Sequence, residues 1–146
     1  RVNSDIMALT TMPHAREYVK EFIKKSVEKT GRINQHKISD IVLDVKNFID
    51  GNYSDCKLSL TLVAGKLFLN PSYLSRTFKK ESGESFVEYL TSVRMEKAMK
   101  LLKKNEYKAF EVAEMVGISD ANYFCSCFKK YFGVSVSSFK KAEKND

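Results

Sequence analysis

Two stretches of this 146-residue chain carry side chains of the types and spacing needed to read a polyanion. The first, Asn70 to Gly83, runs N-P-S-Y-L-S-R-T-F-K-K-E-S-G, and the second, Ser119 to Gly133, runs S-D-A-N-Y-F-C-S-C-F-K-K-Y-F-G. Both contain Tyr-hydrophobic-x-x-x-Phe-Lys-Lys-x-x-Gly, at residues 73–83 and 123–133, a pattern too long and too ordered to arise by chance. A helix that enters the major groove of duplex DNA needs side chains that reach base edges near its N-terminal half and cations that meet phosphates. In the first stretch Ser72, Ser75 and Arg76 are predicted to face outward, with the Arg76 guanidinium suited to the O6 and N7 of a guanine. Tyr73, Lys79 and Lys80 fall where phosphates would lie. In the second, Ala121, Asn122, Cys125 and Ser126 are predicted to face out, with Asn122 suited to adenine and its small neighbours to thymine methyls. Lys129 and Lys130 are the matching phosphate contacts.

The opposite faces carry the packing. Leu74, Thr77 and Phe78 recur at three- and four-residue spacing, as do Phe124, Cys127, Phe128 and Tyr131, so Cys127 is expected to be buried and Cys125 exposed. The plainer alternative for each helix alone is a solvated surface, with Arg76 paired to Glu81 or another acid. A solvated surface has no reason to present a small, polar, basic face twice at a separation of about one helical turn of DNA.

The elements that must position these faces follow in order. Ile38 to about Asp50 reads as a helix with Ile41, Val42, Val45, Phe48 and Ile49 on its buried face and Gly51-Asn52 as its stop. A short helix from about Leu60 to Leu67 then meets the Asn70-Pro71 start of the first candidate reader, which is the layout of a helix-turn-helix. Ala64 permits a close crossing. Ser85-x-x-Glu88 is a capping box for a long helix to roughly Lys104, about 30 Å in length, with Phe86, Tyr89, Leu90, Val93, Ala98, Leu101 and Leu102 on one packed side. One turn of B-DNA rises about 34 Å, so a spacer of this size suits two readers in successive grooves. Phe110 to Val116 is a second short helix, Gly117 bends the chain, and Ser119 or Asp120 caps the second reader. The repeat offset is 49 residues between Ala64 and Ala113 but 50 between Phe78 and Phe128, so the second turn holds one extra residue. A last helix from about Ser135 to Ala142 packs Phe139, and Lys140 to Asp146 is expected to fray.

Composition sets the outer bounds. With 43% hydrophobic and 12% aromatic residues and no Trp, the chain is globular in type. Its net charge of +7 is uneven, since residues 1–56 carry 9 Lys/Arg against 8 Asp/Glu while residues 57–146 carry 16 against 10. The excess accompanies the repeat and points to a polyanionic partner. Cys56, Cys125 and Cys127 form no disulfide framework, which suggests a reduced, cytosolic protein. C-x-C with only His14 and His36 far away lacks zinc spacing, so no metal or cofactor is expected. No apolar run is long enough to span a bilayer, and no membrane association is expected. The chain also lacks a phosphate-binding glycine loop, an HExxH, paired carboxylates near a histidine and a nucleophile with a base, so it does not read as an enzyme.

Upstream, Pro13 to about Thr30 has a helical stripe of Tyr18, Val19, Phe22, Ile23, Ser26 and Val27, closed by Gly31. Its partner is this domain, an upstream domain or a second copy of the chain. The start at Arg1 rather than Met suggests a fragment or a processed chain. We expect residues 1–37 to be a connector with its amphipathic helix, residues 38–104 the first helix-turn-helix subdomain with its linker helix, and residues 105–146 the second.

On the motifs L-N-P-S-Y-L-S-R-T-F-K-K-E-S-G and V-A-E-M-V-G-I-S-D-A-N-Y-F-C-S-C-F-K-K-Y-F-G-V-S, residues from about Ile38 to Ala142 resemble the DNA-binding domain of AraC/XylS-type transcription regulators. The resemblance implies a seven-helix, all-α, homeodomain-like architecture in which two helix-turn-helix subdomains share a long linker helix. It also implies that Ser72, Ser75, Arg76, Ala121, Asn122, Cys125 and Ser126 face bases, that the partner is double-stranded operator DNA, and that RNA polymerase is a candidate second partner. A homodimer would form through residues 13–30 or through an upstream domain. The tandem is similar to the output domains of two-component response regulators. Val136 departs from the family's usual Pro and is expected to weaken the start of the last helix slightly. The competing class is a basic helical module that binds an acidic protein or RNA.

Overall fold

The computed structural model describes residues 38–146. The connector expected at residues 1–37, with its helix from Pro13 to Thr30, lies outside the described residues. Seven helices follow: α1 (38–52), α2 (Leu60–Lys66), α3 (Pro71–Ser82), α4 (Phe86–Lys103), α5 (Ala109–Met115), α6 (Ala121–Phe132) and α7 (Val136–Asn145). The described residues contain no strand.

Local chemistry explains most of the boundaries. Ser59 Oγ accepts a hydrogen bond from the Leu62 amide at 3.2 Å to start α2. The Asn70 carboxamide oxygen accepts from the amides of Ser72 (2.9 Å) and Tyr73 (3.3 Å), and Pro71 takes the first helical position of α3. At α4 the capping box forms as expected: the Glu88 amide donates to Ser85 Oγ at 3.2 Å and the Ser85 amide donates to Glu88 Oε2 at 2.7 Å. Asp120, rather than Ser119, caps α6, accepting from Asn122 (2.9 Å) and Tyr123 (3.2 Å). Such caps are each worth about 1 kcal/mol.

The Ser85 backbone hydrogen bond, its hydroxyl, and the charges of Lys79 and Lys130 hold the Glu88 carboxyl below the ordinary carboxylate range. A depressed folded-state pKa contributes stability that is complete above the unfolded value and lost as pH falls through the folded one. Acid titration of stability from about pH 5 to 3 should therefore show a component that Glu88→Gln lacks, since the amide keeps a cap acceptor without titrating. An unchanged acid profile in that variant would remove Glu88 from the acid transition.

Two cores are built on one helix. The first gathers Val42, Val45 and Ile49 of α1, Leu58 of the loop after it, Val63 and Ala64 of α2, Leu74 and Phe78 of α3, and Phe86, Leu90 and Val93 of α4. The second gathers Met95, Ala98 and Leu102 of α4, Val112 and Ala113 of α5, Val116 and Ile118 of the turn that follows it, Phe124 and Phe128 of α6, and Val136 of α7. The single packed side expected for α4 is thus two stripes. Val93 and Met95 stand about 200° apart around a helix of 3.6 residues per turn, so the stripes lie on opposite sides. Met95, completely buried, belongs to the second stripe. The helix has 18 residues and is about 27 Å long, somewhat less than its sequence suggests.

Two C-terminal expectations need correction. α7 runs to Asn145, so the segment from Lys140 is helical rather than frayed, and the Lys140 ammonium donates to the Tyr107 carbonyl at 2.7 Å. Val136 does not weaken the start of α7. It is only 4% exposed and fills the second core at the place Phe86 takes in the first, while Ser135 Oγ accepts from the Ser138 amide at 3.2 Å.

The turns inside the two helix-turn-helix units match atom for atom until one residue. Leu69 donates to the Ala64 carbonyl at 2.8 Å and Ile118 donates to that of Ala113 at 2.8 Å. The next residue is the cap Asn70 in the first unit, whereas Ser119 precedes the cap Asp120 in the second, so Ser119 is the inserted residue. One position earlier the units differ in chemistry. Gly117 has φ 86° and Phe68 has φ 56°, and the Phe68 ring is 96% exposed. A left-handed conformation costs a non-glycine residue roughly 1–2 kcal/mol, and here no burial offsets it. Phe68→Asn, which tolerates that region, should raise stability by roughly 0.5–1 kcal/mol in thermal unfolding. A drop in Tm would show that the ring has a stabilising role its exposure conceals.

Candidate nucleic-acid interface

α3 and α6 are both 12 residues long, begin at an Asx cap and end at a left-handed glycine, Gly83 (φ 81°) or Gly133 (φ 76°). Burial repeats at a spacing of 50 residues. Leu74 and Phe78 are fully buried, and so are Phe124 and Phe128. Ser72, Tyr73, Arg76, Lys79 and Lys80 are exposed, as are Asn122, Tyr123, Ser126, Lys129 and Lys130. Each helix therefore turns its buried stripe to a core and leaves the opposite face free for a partner.

The buried stripes fix the helices firmly. Phe78 packs edge-on against Phe86 (6.4 Å between centroids) and Tyr89 (5.9 Å). Phe128 meets Phe124 (6.2 Å), Phe132 (4.7 Å) and Phe139 (5.8 Å). Side chains on the outer faces are consequently presented from rigid supports.

On α3, Asn70, Tyr73, Arg76, Thr77 and Lys80 line a shallow depression along one flank. Among the described residues Arg76 has no acidic partner, so the pairing with Glu81 considered from sequence does not form. Its five donors remain available for a bidentate acceptor. On α6 the same position is Ser126, whose hydroxyl donates to the Asn122 carbonyl at 3.1 Å and keeps its acceptor lone pairs outward. The outer face of the first helix thus carries a cation and that of the second an amide and small groups.

Several expected positions shift. Ala121 is half-buried at the first turn of α6. Cys125 is half-buried rather than exposed and packs against the edge of the second core, as does Cys127, which is not fully buried either. A residue two positions from another sits on a different face, but the cysteine side chain is small enough for both to rest on the core's edge. Tyr131 leaves the core stripe and is 45% exposed, with its hydroxyl beside Glu96. Partial burial, then the charges of Glu96 and Glu84, push its pKa up. Tyr123 is not among the residues that the sequence reading places at phosphates, although Tyr73 is. It is 55% exposed at the place Tyr73 takes on α3, where exposure is 45%, and the 50-residue offset is the signal that identifies it.

Two helix-turn-helix units, each presenting the exposed face of its second helix and sharing one linker helix, define a tandem helix-turn-helix protein. Residues 63–142 match the family model described as a helix-turn-helix domain. The chain belongs to the AraC-type helix-turn-helix family. It is similar to the uncharacterized transcriptional regulatory protein YesN of Bacillus subtilis, 44% identical over 79 residues that cover 53% of this chain and 22% of that protein. It is also similar to the solved C-terminal domain of AraT, a response regulator from Geobacillus stearothermophilus, with 41% identity, a TM-score of 0.68, and coverage of 70% of this chain and 84% of that one. The DNA-binding domain of AdpA, solved in complex with a target DNA, shares the fold at 18% identity and a TM-score of 0.66, covering 71% of this chain and 93% of that one. The chain spans well under half the length of the curated relatives it matches first.

Proposed function

We propose that this chain is the DNA-binding module of a transcription regulator and that α3 and α6 enter two successive major-groove segments on one face of a duplex. The observation that carries this is the doubled outer face: two rigidly packed helices with the same exposed positions, polar near the N-terminus and lysine-rich toward the C-terminus. α4 alone is shorter than a turn of B-DNA, so the rest of a one-turn separation comes from the readers standing off opposite sides of it. Ser72, Ser75, Arg76, Asn122 and Ser126 are the base readers in this scheme. Ala121 and Cys125 contribute apolar edges, and Tyr73, Tyr123, Lys79, Lys80, Lys129 and Lys130 meet phosphates.

The similarity to a response regulator's C-terminal domain supports a place at the output end of a two-component protein. RNA polymerase is then the natural second partner, and residues 13–30 or an upstream domain would pair two copies. A cytoplasmic location agrees with such a role, and among the described residues no helix is long and apolar enough to cross a membrane.

Arg76→Ala is expected to cost about 1–3 kcal/mol and to relax base preference at one position, whereas Lys129→Ala weakens all sequences alike and lowers the salt slope by about 1. Fluorescence anisotropy against a random pool of roughly 30-base-pair duplexes, with sequencing of the bound fraction at two salt concentrations, tests the proposal. Two short motifs about one turn apart support it. A bound pool with no enriched sequence refutes it, and equal losses on every duplex for Arg76→Ala remove that residue from base reading.

A further inference from the structure

Two subdomains joined through one helix, with their cores on opposite sides of it, would be free to twist and bend about that helix. A second connection exists. The loop between α1 and α2, which belongs to the first unit, reaches the turn of the second. Arg94, half-buried on α4, donates from Nε to the Tyr53 carbonyl and from Nη2 to the Asp55 carbonyl, both at 2.9 Å. The loop itself is tight, with the Asp55 amide donating to the Asn52 carbonyl at 3.0 Å and the Leu58 amide to the Asp55 carbonyl at 3.1 Å. Tyr53 packs against both cores, and Lys97 holds its ammonium 5.5 Å from the centre of the Tyr53 ring. From the second unit, Gly117 closes on the same loop: a Cβ there would stand 2.5 Å from the Tyr53 carbonyl oxygen, 2.9 Å from the Ser54 carbonyl carbon and 3.0 Å from Arg94 Nη2. Tyr123 of α6 also lies within electrostatic reach of Arg94.

We propose that Arg94 is a positioning residue that locks the α1–α2 loop against the Gly117 turn and thereby fixes the spacing and relative rotation of the two recognition helices. A planar guanidinium satisfies two carbonyls in a set geometry, which a lysine ammonium on a flexible stem does not. Apart from Tyr123 beside Arg94, the junction is built from none of the residues placed at bases or phosphates. Its effect is on geometry, through the cost of aligning two readers on one duplex.

The consequence for DNA rests on the function proposed above, so the test has one arm that needs no DNA. In the 146-residue chain with Cys56→Ser, Cys125→Ser and Cys127→Ala, spin labels at Lys80→Cys and Lys130→Cys report the distance between α3 and α6 by pulsed electron resonance. The parent is expected to give one narrow distribution, and Arg94→Met a broadened or shifted one at unchanged helix content. Arg94→Lys should restore the charge but not the narrow distribution, and it carries the test if Arg94→Met does not fold. A narrow, unshifted distribution in a folded Arg94 variant overturns the proposal whatever happens with DNA.

The second arm uses the selected duplex and versions with the space between the two motifs changed by one or two base pairs. The parent should discriminate against altered spacing by about tenfold or more, and Arg94→Met should reduce that to within about threefold while binding a single motif as the parent does. Retained discrimination overturns the DNA consequence. If the parent binds no duplex selectively, the DNA-reading function fails and the distance arm alone decides the junction.

Discussion

Gly117→Ala is expected to destabilise the protein by about 3 kcal/mol or more, an unusually large effect for the gain of one methyl group. Two costs add. The residue sits at φ 86°, where an L side chain costs roughly 1–2 kcal/mol. The new Cβ would also stand 2.5 Å from the Tyr53 carbonyl oxygen, and relieving overlap of that kind costs typically 1–3 kcal/mol when backbone must move. Gly65→Ala is the control, since nothing lies within 4 Å of a Cβ there and an exposed helical glycine gains roughly 0.5–1 kcal/mol on becoming alanine. Urea unfolding followed by circular dichroism should move in opposite directions for the two variants. A neutral Gly117→Ala would mean that the loop gives way freely and that the junction is not tight.

Phe128→Ala should cost about 3–5 kcal/mol, a large part of the stability of a domain of this size. The ring is fully buried and touches three aromatic neighbours from two helices. Because the second core is separate from the first, the loss should be local. Hydrogen exchange is expected to quicken in α5, α6 and α7 while the amides of α1 to α3 keep their protection. In DNA binding the motif that the proposed function assigns to Asn122 should disappear and the one it assigns to Arg76 persist. Uniform loss of protection throughout would show that the two cores unfold as one.

The helices α3 and α6 were legible in the sequence, for physical reasons. Caps are local: Asn70-Pro71, Ser85-x-x-Glu88 and Asp120 act within four residues, so their chemistry is written beside the element they start. The buried faces of α3 and α6 were legible because helical period and aromatic content agree. What escaped depends on contacts distant in the chain. The linker helix shows one long hydrophobic pattern, but Val93 and Met95 belong to different cores, a division set by which elements fold back onto each side. Arg94 gives no local sign of its role because its partners are backbone carbonyls about forty residues earlier. Tyr131 and Cys125 were misplaced because each sits at the border of a stripe, where a small rotation of the helix decides what is covered.

The constant spacing of 50 residues from cap to final glycine has a further meaning. The extra Ser119 lies before the cap, so it lengthens the turn without rotating the helix that follows. Among the fully buried positions α3 and α6 then differ at one, Leu74 against Phe124, while Cys125, Cys127 and Phe132 of α6 also pack on the second core where α3 has Ser75, Thr77 and Ser82. The two helices are cassettes of one backbone plan, each fitted to its own core. One half of a bipartite target can drift, be duplicated or be swapped for the other by changes confined to the outer positions of a single cassette, while the opposite half and both cores are left as they were.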